Sequence, residues 1–485
     1  MKNKIITSNS LCRVQNFPPN IKRELRRLLS YKDKNAPFLR NNMYAKWKRG
    51  IIYRGMTKEE LYKQIDRITT INLYDGKNES FPTGLLNTVV KFLDNIEFEY
   101  TLTDTRKAPE PKHVFRKINK PPSLRYYQED AVTACLEAHR GIAELATGTG
   151  KTNIIIELCY RLKVNTLIVA PSSTILQQFY DSLAYTFGKN RVGMLTGSKK
   201  EYEKPITIAT YQSLPNLDPF WFKNMDAVIV DECHHSGAET IVDLNKKCFD
   251  NIYYRFYFSG TAYRNDGKDM SLQAVISDKF VYQYDVHQGI ADGYLVPIEF
   301  HIYPYYHTGS SATIKYAQEV KNMIVDNERY NEMIADKAKQ LDEKGIATII
   351  FVDQIKHGEL LEKMIEGSVF ANGTEKRAIN SQSIKDFNNG KFNVLIGTSV
   401  LGEGVDTVRA QCGILASGGK GKIDGETTSS NLIQKIGRLL RPFPGKEKSV
   451  LIDFVHHNTR YLEPHARQRQ EAYEELAPDK IYRKS

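Results

Sequence analysis

Two stretches of the chain repeat one pattern: short runs of consecutive apolar residues bounded by turn formers alternate with longer segments whose apolar positions recur three and four apart. In the first stretch the runs fall at 165–170, 205–210, 227–231 and 254–259, with helices opening at Lys151 and Ile175. In the second they fall at 347–352, 393–398, 413–417 and 450–454, with helices around 328–340 and 429–440. Unbroken apolar runs, rather than in-out alternation, are the mark of strands covered on both faces, and strand-helix alternation builds parallel sheets. The pattern predicts two similar α/β units in tandem, joined somewhere in 285–310. Ahead of them, the basic, proline-rich segment 107–122 (KAPEPKHVFRKINKPP) reads as a linker. The expected organisation is a small basic α+β domain over 1–116, α/β units over 117–298 and 299–460, and a tail over 461–485. The first domain is expected to be separable from the rest.

Length agrees with this division, since 485 residues exceed what one hydrophobic core usually organises. No run approaches the ~18 uninterrupted apolar residues of a membrane helix, and the N-terminus has no apolar signal core, so a cytoplasmic protein is expected. Cys12, Cys135, Cys159, Cys233, Cys248 and Cys412 include no C-x-x-C pair, which predicts reduced thiols instead of a zinc site or a disulfide framework. Charge is distributed unevenly. The first 120 residues hold 25 Lys and Arg against 12 Asp and Glu, a surplus greater than the whole chain's +11. The first quarter therefore carries all the net positive charge and is the part that suits a polyanion.

The candidate chemistry begins with Ala146-Thr-Gly-Thr-Gly-Lys-Thr152, set between an apolar entry and an amphipathic helix. Thr147, Gly148, Thr149 and Gly150 would let backbone N–H groups surround phosphate oxygens at a helix N-terminus. Lys151 would reach the β- and γ-phosphates and Thr152 would ligate Mg²⁺. Leu145 stands where the general phosphate-loop pattern has its first glycine. Eighty residues beyond Lys151, an apolar run ends in Asp231-Glu232-Cys-His234. Asp231 would hold Mg²⁺ through water and Glu232 would orient and deprotonate the attacking water. This strand is expected beside the phosphate-loop strand. His234 and His235 lack partners at metal-ligand spacing, so His234 is read as a coupling residue and His235 as an ordinary polar one.

Together these residues resemble the DExH branch of the superfamily 2 helicases over about 124–441, in the order that family uses. The resemblance implies two RecA-like domains, ATP and Mg²⁺ as cofactors, and nucleic-acid-stimulated ATP hydrolysis. Leu124-Arg-Tyr-Tyr-Gln128 resembles the adenine-recognition motif, with Arg125 and Gln128 on the base. The segments 169–178 and 208–213 resemble loops that grip the nucleic-acid backbone, which assigns contacts to Pro171, Ser172, Gln178, Thr210, Tyr211 and Gln212. Ser259-Gly-Thr261 resembles the motif coupling ATP state to nucleic-acid binding, and its extension through Asp266 is similar to the XPB-like and phage UvsW-type subgroups. In the second unit, 349–354 resembles motif IV and Thr398-Ser-Val-Leu-Gly-Glu-Gly-Val-Asp406 resembles motif V. Thr398 would meet the backbone, and Asp406 the ribose or interdomain cleft. Gln434-Lys-Ile-Gly-Arg438-Leu-Leu-Arg441 resembles motif VI. There Gln434, Arg438 and Arg441 face the γ-phosphate, and the spacing i, i+4, i+7 would put all three on one helix face.

The first domain carries Tyr44-Ala-Lys46-Trp47-Lys48-Arg49, a basic and aromatic segment that suits stacked bases and phosphates, and equally a structural element with solvated lysines. Arg23, Arg26 and Arg27 share a helix face beside it. A basic domain ahead of two compact motor units resembles UvsW-type enzymes, which implies a DNA helicase of forks, D-loops and Holliday-like junctions moving 3′ to 5′. Expected partners are branched DNA, with RNA left open, and recombination or single-strand-binding proteins. The chain is expected to act as a monomer without a membrane. An RNA helicase, the motor part of a restriction or repair assembly, and a non-hydrolysing ATP-dependent binding or annealing scaffold are the competing readings.

Overall fold

The protein is described by a computed structural model over residues 2–32, 36–119, 123–197, 199–231, 237–260, 268–308, 314–375, 377–398, 407–423 and 427–484. It divides into two compact units, Met1–Leu145 with Lys151–Gln283, and Ala146–Gly150 with Tyr284–Ser485.

The first unit opens with a four-stranded sheet formed by β1 (Lys4–Thr7), β2 (Leu11–Gln15), β3 (Ser80–Pro82) and β4 (Thr101–Asp104), in the order β3-β2-β1-β4. Helices α1 (Pro19–Leu28), α2 (Ala36–Lys48), α3 (Lys58–Thr69) and α4 (Leu86–Asn95) accompany it. Ile21 and Leu25 of α1, and Val89 and Leu93 of α4, fill the core with Ile5, Val14 and Phe81. Helix α3 begins at a capping box in which the Thr57 side chain accepts from the Glu60 N–H and the Glu60 carboxylate from the Thr57 N–H. By contrast, α2 leaves its polar and aromatic side chains at or near the surface. It pairs with α3 as a hairpin standing off the core.

The second part of this unit is an eight-stranded sheet. Its strands are β5 (Arg140–Leu145), β6 (Thr166–Ala170), β7 (Val192–Leu195), β8 (Lys200–Glu201), β9 (Ile206–Thr210), β10 (Ala227–Asp231), β11 (Tyr254–Ser259) and β12 (Phe280–Tyr284). Their order is β8-β7-β9-β6-β10-β11-β5-β12. Helices α5 (Tyr126–Ala138), α6 (Lys151–Leu162) and α7 (Ser173–Phe187) cover it. Strands β6, β9 and β10 are buried at every position, which is why their sequences read as continuous apolar runs. The expectation that β10 lies beside β5 is corrected here. Strand β11 sits between them, paired in parallel with both, because the crossover after β10 returns the chain toward β5.

The first domain is bonded to the eight-stranded part. Arg255, at the start of β11, is fully buried and donates to the carbonyls of Phe249, Ile252 and Val275, to Asn245 Oδ1, and to Ser10 Oγ of the first domain. Arg140, at the start of β5, donates to the Asn9 carbonyl. The Thr88 N–H donates to the Asp278 carboxylate, and Tyr31 bonds Ser271. Gly84 lies so close to the helical segment at Gln273 that a Cβ would sit 1.9 Å from its carbonyl oxygen. The segment expected as a free linker also adheres to the eight-stranded part. Phe115 is buried against Phe187, Lys112 pairs with Asp226, and Lys117 pairs with Glu157.

The second unit is a seven-stranded sheet of β13 (Ile298–Tyr306), β14 (Thr348–Phe351), β15 (Val369–Ala371), β16 (Val394–Gly397), β17 (Cys412–Leu415), β18 (Ser449–His457) and β19 (Ile481–Arg483). Every pairing is parallel, in the order β15-β16-β14-β17-β18-β13-β19. Helix α8 (Glu328–Glu343) packs Tyr330, Ile334 and Ala338 into one core, and α9 (Ser430–Leu439) contributes Leu432, Ile436 and Leu439 to another. Residues expected as a tail are integral. Helix α10 (Leu462–Leu476) stacks Tyr473 on Phe300 and buries Arg469, and β19 extends the sheet edge. Both Arg469 nitrogens facing Asp453 donate to it at 2.8 Å, as does the Tyr473 hydroxyl. This buried pair supports β18 from below.

Candidate nucleotide site and nucleic-acid track

Loop 146–150 leaves the carboxyl end of β5 and runs into the amino end of α6. Gly148 and Gly150 have φ of +93° and +83°, in the left-handed region where a Cβ is strained, so the tight turn requires glycine. The Thr149 hydroxyl donates to the Ala146 carbonyl at 2.7 Å, pinning the loop's entry, and Lys151 Nζ lies 3.4 Å from the Leu145 carbonyl. Helix α6 is anchored below by Ile154, Ile155, Leu158 and Cys159, all buried. A fixed helix N-terminus joined to a glycine turn suits an anion through its dipole and N–H groups. Thr147 and Thr152 complete the segment.

Parallel register brings other predicted residues to the same edge of this sheet. Asp231 is the last residue of β10, opposite Phe258, and Ser259 ends β11 opposite Glu144. Both are buried. Neighbouring strands lie about 4.8 Å apart, so Asp231, two strands from β5, is roughly 10 Å from it across the sheet. Carboxyl ends of parallel strands are where such sheets bind ligands. Glu232, His234, Thr261 and Asp406 lie outside the described residues. Gln128 is buried, and its Oε1 accepts the Arg125 N–H at 3.0 Å, while Arg125 donates to the Tyr127 hydroxyl. The first turn of α5 therefore orients both expected base contacts.

In the second unit, Gln434 and Arg438 lie on α9, with Arg438 buried. The single helix face expected for the three motif VI residues is corrected, because α9 ends at Leu439 and Arg441 follows the cap residue Leu440. Burial pushes the Arg441 guanidinium down to about 10, which still leaves it charged at neutral pH. Sequence reasoning passed over Lys435, which is buried and contacts Asp353 and Ser417, each at 3.2 Å. It ties α9 to the ends of β14 and β17. A lysine inside an otherwise apolar helix face was the available signal. Thr398 follows β16 directly, its N–H donating to the Ala371 carbonyl.

A cavity of about 570 Å³ in the first unit gathers Ser172, Thr210 and Gln212. Ser172 caps α7 by accepting the Ile175 N–H, and the Thr210 and Ser213 hydroxyls are 2.9 Å apart. Pro171, Gln178 and Tyr211 do not line this cavity; Tyr211 packs toward the core. Thr196, Gly197, Lys200 and Tyr202, from the β7–β8 hairpin, do line it. Sequence reasoning missed them, although the turn-forming Thr196-Gly-Ser-Lys-Lys200 carried the signal. Hydroxyls, amides and a lysine without a lining carboxylate suit phosphate contact that carries no base readout.

On the α2–α3 hairpin, Lys46, Lys48 and Arg49 are exposed. Trp47 is an interior staple more than an open platform: its Nε1 donates to the Met56 carbonyl and its ring packs by Tyr44. Tyr44 stacks on Tyr62, over which Arg40 lies 4.4 Å from the ring centroid. The five described cysteines are buried, and desolvation pushes Cys135, Cys159 and Cys412 up to about 12, as core thiols should be. Among the described residues no helix is long and apolar enough to cross a membrane.

Comparison with known proteins follows the same division. The family described as "Type III restriction enzyme, res subunit" matches residues 121–264, and "Helicase conserved C-terminal domain" matches 330–442. The chain is similar to the ATP-dependent DNA helicase uvsW of Enterobacteria phage T4, 24% identical over 78% of this chain and 80% of that protein. It is also similar to the DNA 3'-5' translocase XPB2 of Sulfurisphaera tokodaii, 25% identical over 70% of this chain and 82% of that one. Among curated relatives the share of their length spanned falls to 52%. In fold it is similar to a point variant of Saccharomyces cerevisiae Dbp5 bound to RNA and ADP BeF3, with a TM-score of 0.52 and 16% identity over 74% of this chain and 89% of that one.

Proposed function

We propose, from the premise that this chain belongs to the superfamily 2 helicases, that it is a DNA translocase using ATP to remodel branched duplexes. Helicase activity driven by ATP comes with the family. The added reading is the substrate: forks, D-loops and Holliday-like junctions, engaged by a motor moving 3′ to 5′. One observation carries it. The exposed basic hairpin α2–α3 belongs to a domain bonded into the eight-stranded sheet through Arg255 and Arg140, so a duplex arm held there is held by the same body that carries the hydroxyl-lined cavity. The printed names of the phage T4 and Sulfurisphaera relatives support DNA and the direction.

Roles follow from chemistry. Lys151 neutralises the β- and γ-phosphates, Arg125 and Gln128 orient the base, and Asp406 the ribose. The Thr152 hydroxyl and the Asp231 carboxylate are hard oxygen donors, which fit Mg²⁺, and a bound Mg²⁺ would supply charge neutralisation between phosphates. Glu232 takes the proton of the attacking water. Gln434, Arg438 and Arg441 stabilise the charge that spreads over the transferred group. His234, Ser259 and Thr261 couple that turnover to Pro171, Ser172, Gln178, Thr210, Tyr211, Gln212 and Thr398 on the nucleic-acid backbone. The enzyme works as a monomer in the cytoplasm, alongside recombination or single-strand-binding proteins. The test is ATP-dependent unwinding and ATPase stimulation on matched forks, Holliday junctions, linear duplexes and RNA. Branched DNA should be preferred; stimulation by RNA alone, or equal turnover on linear and branched DNA, would overturn the substrate assignment.

A further inference from the structure

The second unit holds a cavity of about 490 Å³ near the amino-terminal ends of β17 and β18. Its floor is the sheet face presenting Tyr303 of β13 with Val450 and Ile452 of β18, and α8 forms one wall. The size is that of a small-ligand site. Four lysines border it. Lys337 and Lys344 stand two turns apart on and just after α8, and Lys446 and Lys448 lie just before β18. Among the described residues Glu447 is the one carboxylate in the lining.

The lysines differ in what already satisfies them. Lys448 is paired with Glu299 at 2.8 Å, and the Lys337 ammonium lies 3.4 Å from the Tyr303 ring centroid. Lys446 is the exception. It is 6% exposed, its Nζ donates to the Arg441 carbonyl at 2.8 Å, and among the described residues no carboxylate lies within ion-pair distance of it. Burial, followed by the nearby Arg441 charge, pushes this ammonium down to about 7. A cation kept from water without a counterion is costly, and an anion in the cavity would remove that cost. An apolar floor beside it suits a ligand with an organic body.

We propose that this cavity binds a small phosphorylated ligand, up to the size of a mononucleotide, with Lys446, Lys344 and Lys337 around its phosphate. Because Lys446 also holds the backbone of Arg441, occupancy bears on the arginine assigned to ATP turnover; that consequence rests on the function proposed above, whereas binding does not.

The probes are pyrophosphate and AMP, titrated calorimetrically into the full chain carrying Lys151→Ala, which removes the phosphate-loop lysine from the competition. Saturable binding of either probe is expected, weakened at least tenfold by Lys446→Met and less by the exposed Lys344→Gln. Replacing an uncompensated buried cation by an apolar side chain is not expected to unfold the unit, and Lys344→Gln provides a second reading if it does. Equal affinity for the two probes would identify the phosphate as the recognised group, and preference for AMP would add the nucleoside. No binding at millimolar probe, or affinity unchanged by both lysine substitutions, overturns the proposal. Loss of nucleic-acid-stimulated turnover in the unmodified chain would instead count against the motor assignment and leave the binding result standing.

Discussion

Substituting Asp453 separates charge pairing from packing in the second unit. Asp453 is 1% exposed and accepts two bonds from Arg469 and one from Tyr473, all at 2.8 Å. Asp453→Leu leaves the Arg469 guanidinium buried with no carboxylate facing it, and breaking such a pair from one side costs about 3–5 kcal/mol. For a unit of about 200 residues, 1 kcal/mol corresponds to roughly 2–4 °C, so its melting transition should fall by about 6–20 °C. Differential scanning calorimetry of the full chain reads this, because separate units need not melt together. The chain supplies an internal control: its two tryptophans, Trp47 and Trp221, both belong to the first unit. Tryptophan fluorescence should therefore report an unchanged transition while the calorimetric one moves. The double variant Asp453→Leu with Arg469→Met replaces the pair by apolar groups and should recover most of the loss. A double variant as unstable as the single one would refute the electrostatic reasoning.

Three further outcomes are expected. Lys151→Ala should lower DNA-stimulated phosphate release by about 10²–10³-fold, the scale of one lost transition-state donor, without lowering the melting temperature; undiminished turnover would sink the nucleotide-site assignment. Alanine at Lys46, Lys48 and Arg49 together should weaken fork binding and reduce the slope of log affinity against log salt by about 2.7, at roughly 0.9 per phosphate contact, and an unchanged slope would mean the hairpin does not touch DNA. Burial pushes the His307 and His357 imidazoles down to about 4, and His456 well below its usual value. The unfolded chain then binds protons below pH ~6.5 that the folded one refuses, so the second unit's stability should fall as pH drops from ~6.5 toward 4. His357→Gln should flatten that fall in acid titrations followed by calorimetry.

Much of this architecture was legible because parallel strands buried on both faces write themselves as apolar runs; 227–231 and 254–259 were placed to the residue. The turn at 146–150 was legible because its two left-handed positions accept little besides glycine. Strand order was not, since the run ending at Asp231 says nothing about which neighbour the returning chain will take. Helix α10 was read as tail because its buried face includes His465 and Arg469, residues that count as surface until Asp453 and the Gly418 carbonyl are seen to meet them. Arg441 was placed on a helix by spacing alone, and spacing does not register where a helix stops. The hydroxyl-lined cavity was half legible. Ser172, Thr210 and Gln212 follow apolar strands, whereas Lys200 and Tyr202 reach it only through a hairpin that the runs do not announce.

Strand β11 is gripped at its foot by Arg255, bonded to the first domain at Ser10, and carries Ser259 at its tip. Four residue steps separate them, about 13 Å of extended backbone hydrogen-bonded on both sides. Such a strand behaves as a stiff tie rod. A load applied to the domain that holds the basic hairpin therefore enters the sheet along β11 and reaches the edge where Asp231 and Ser259 end their strands.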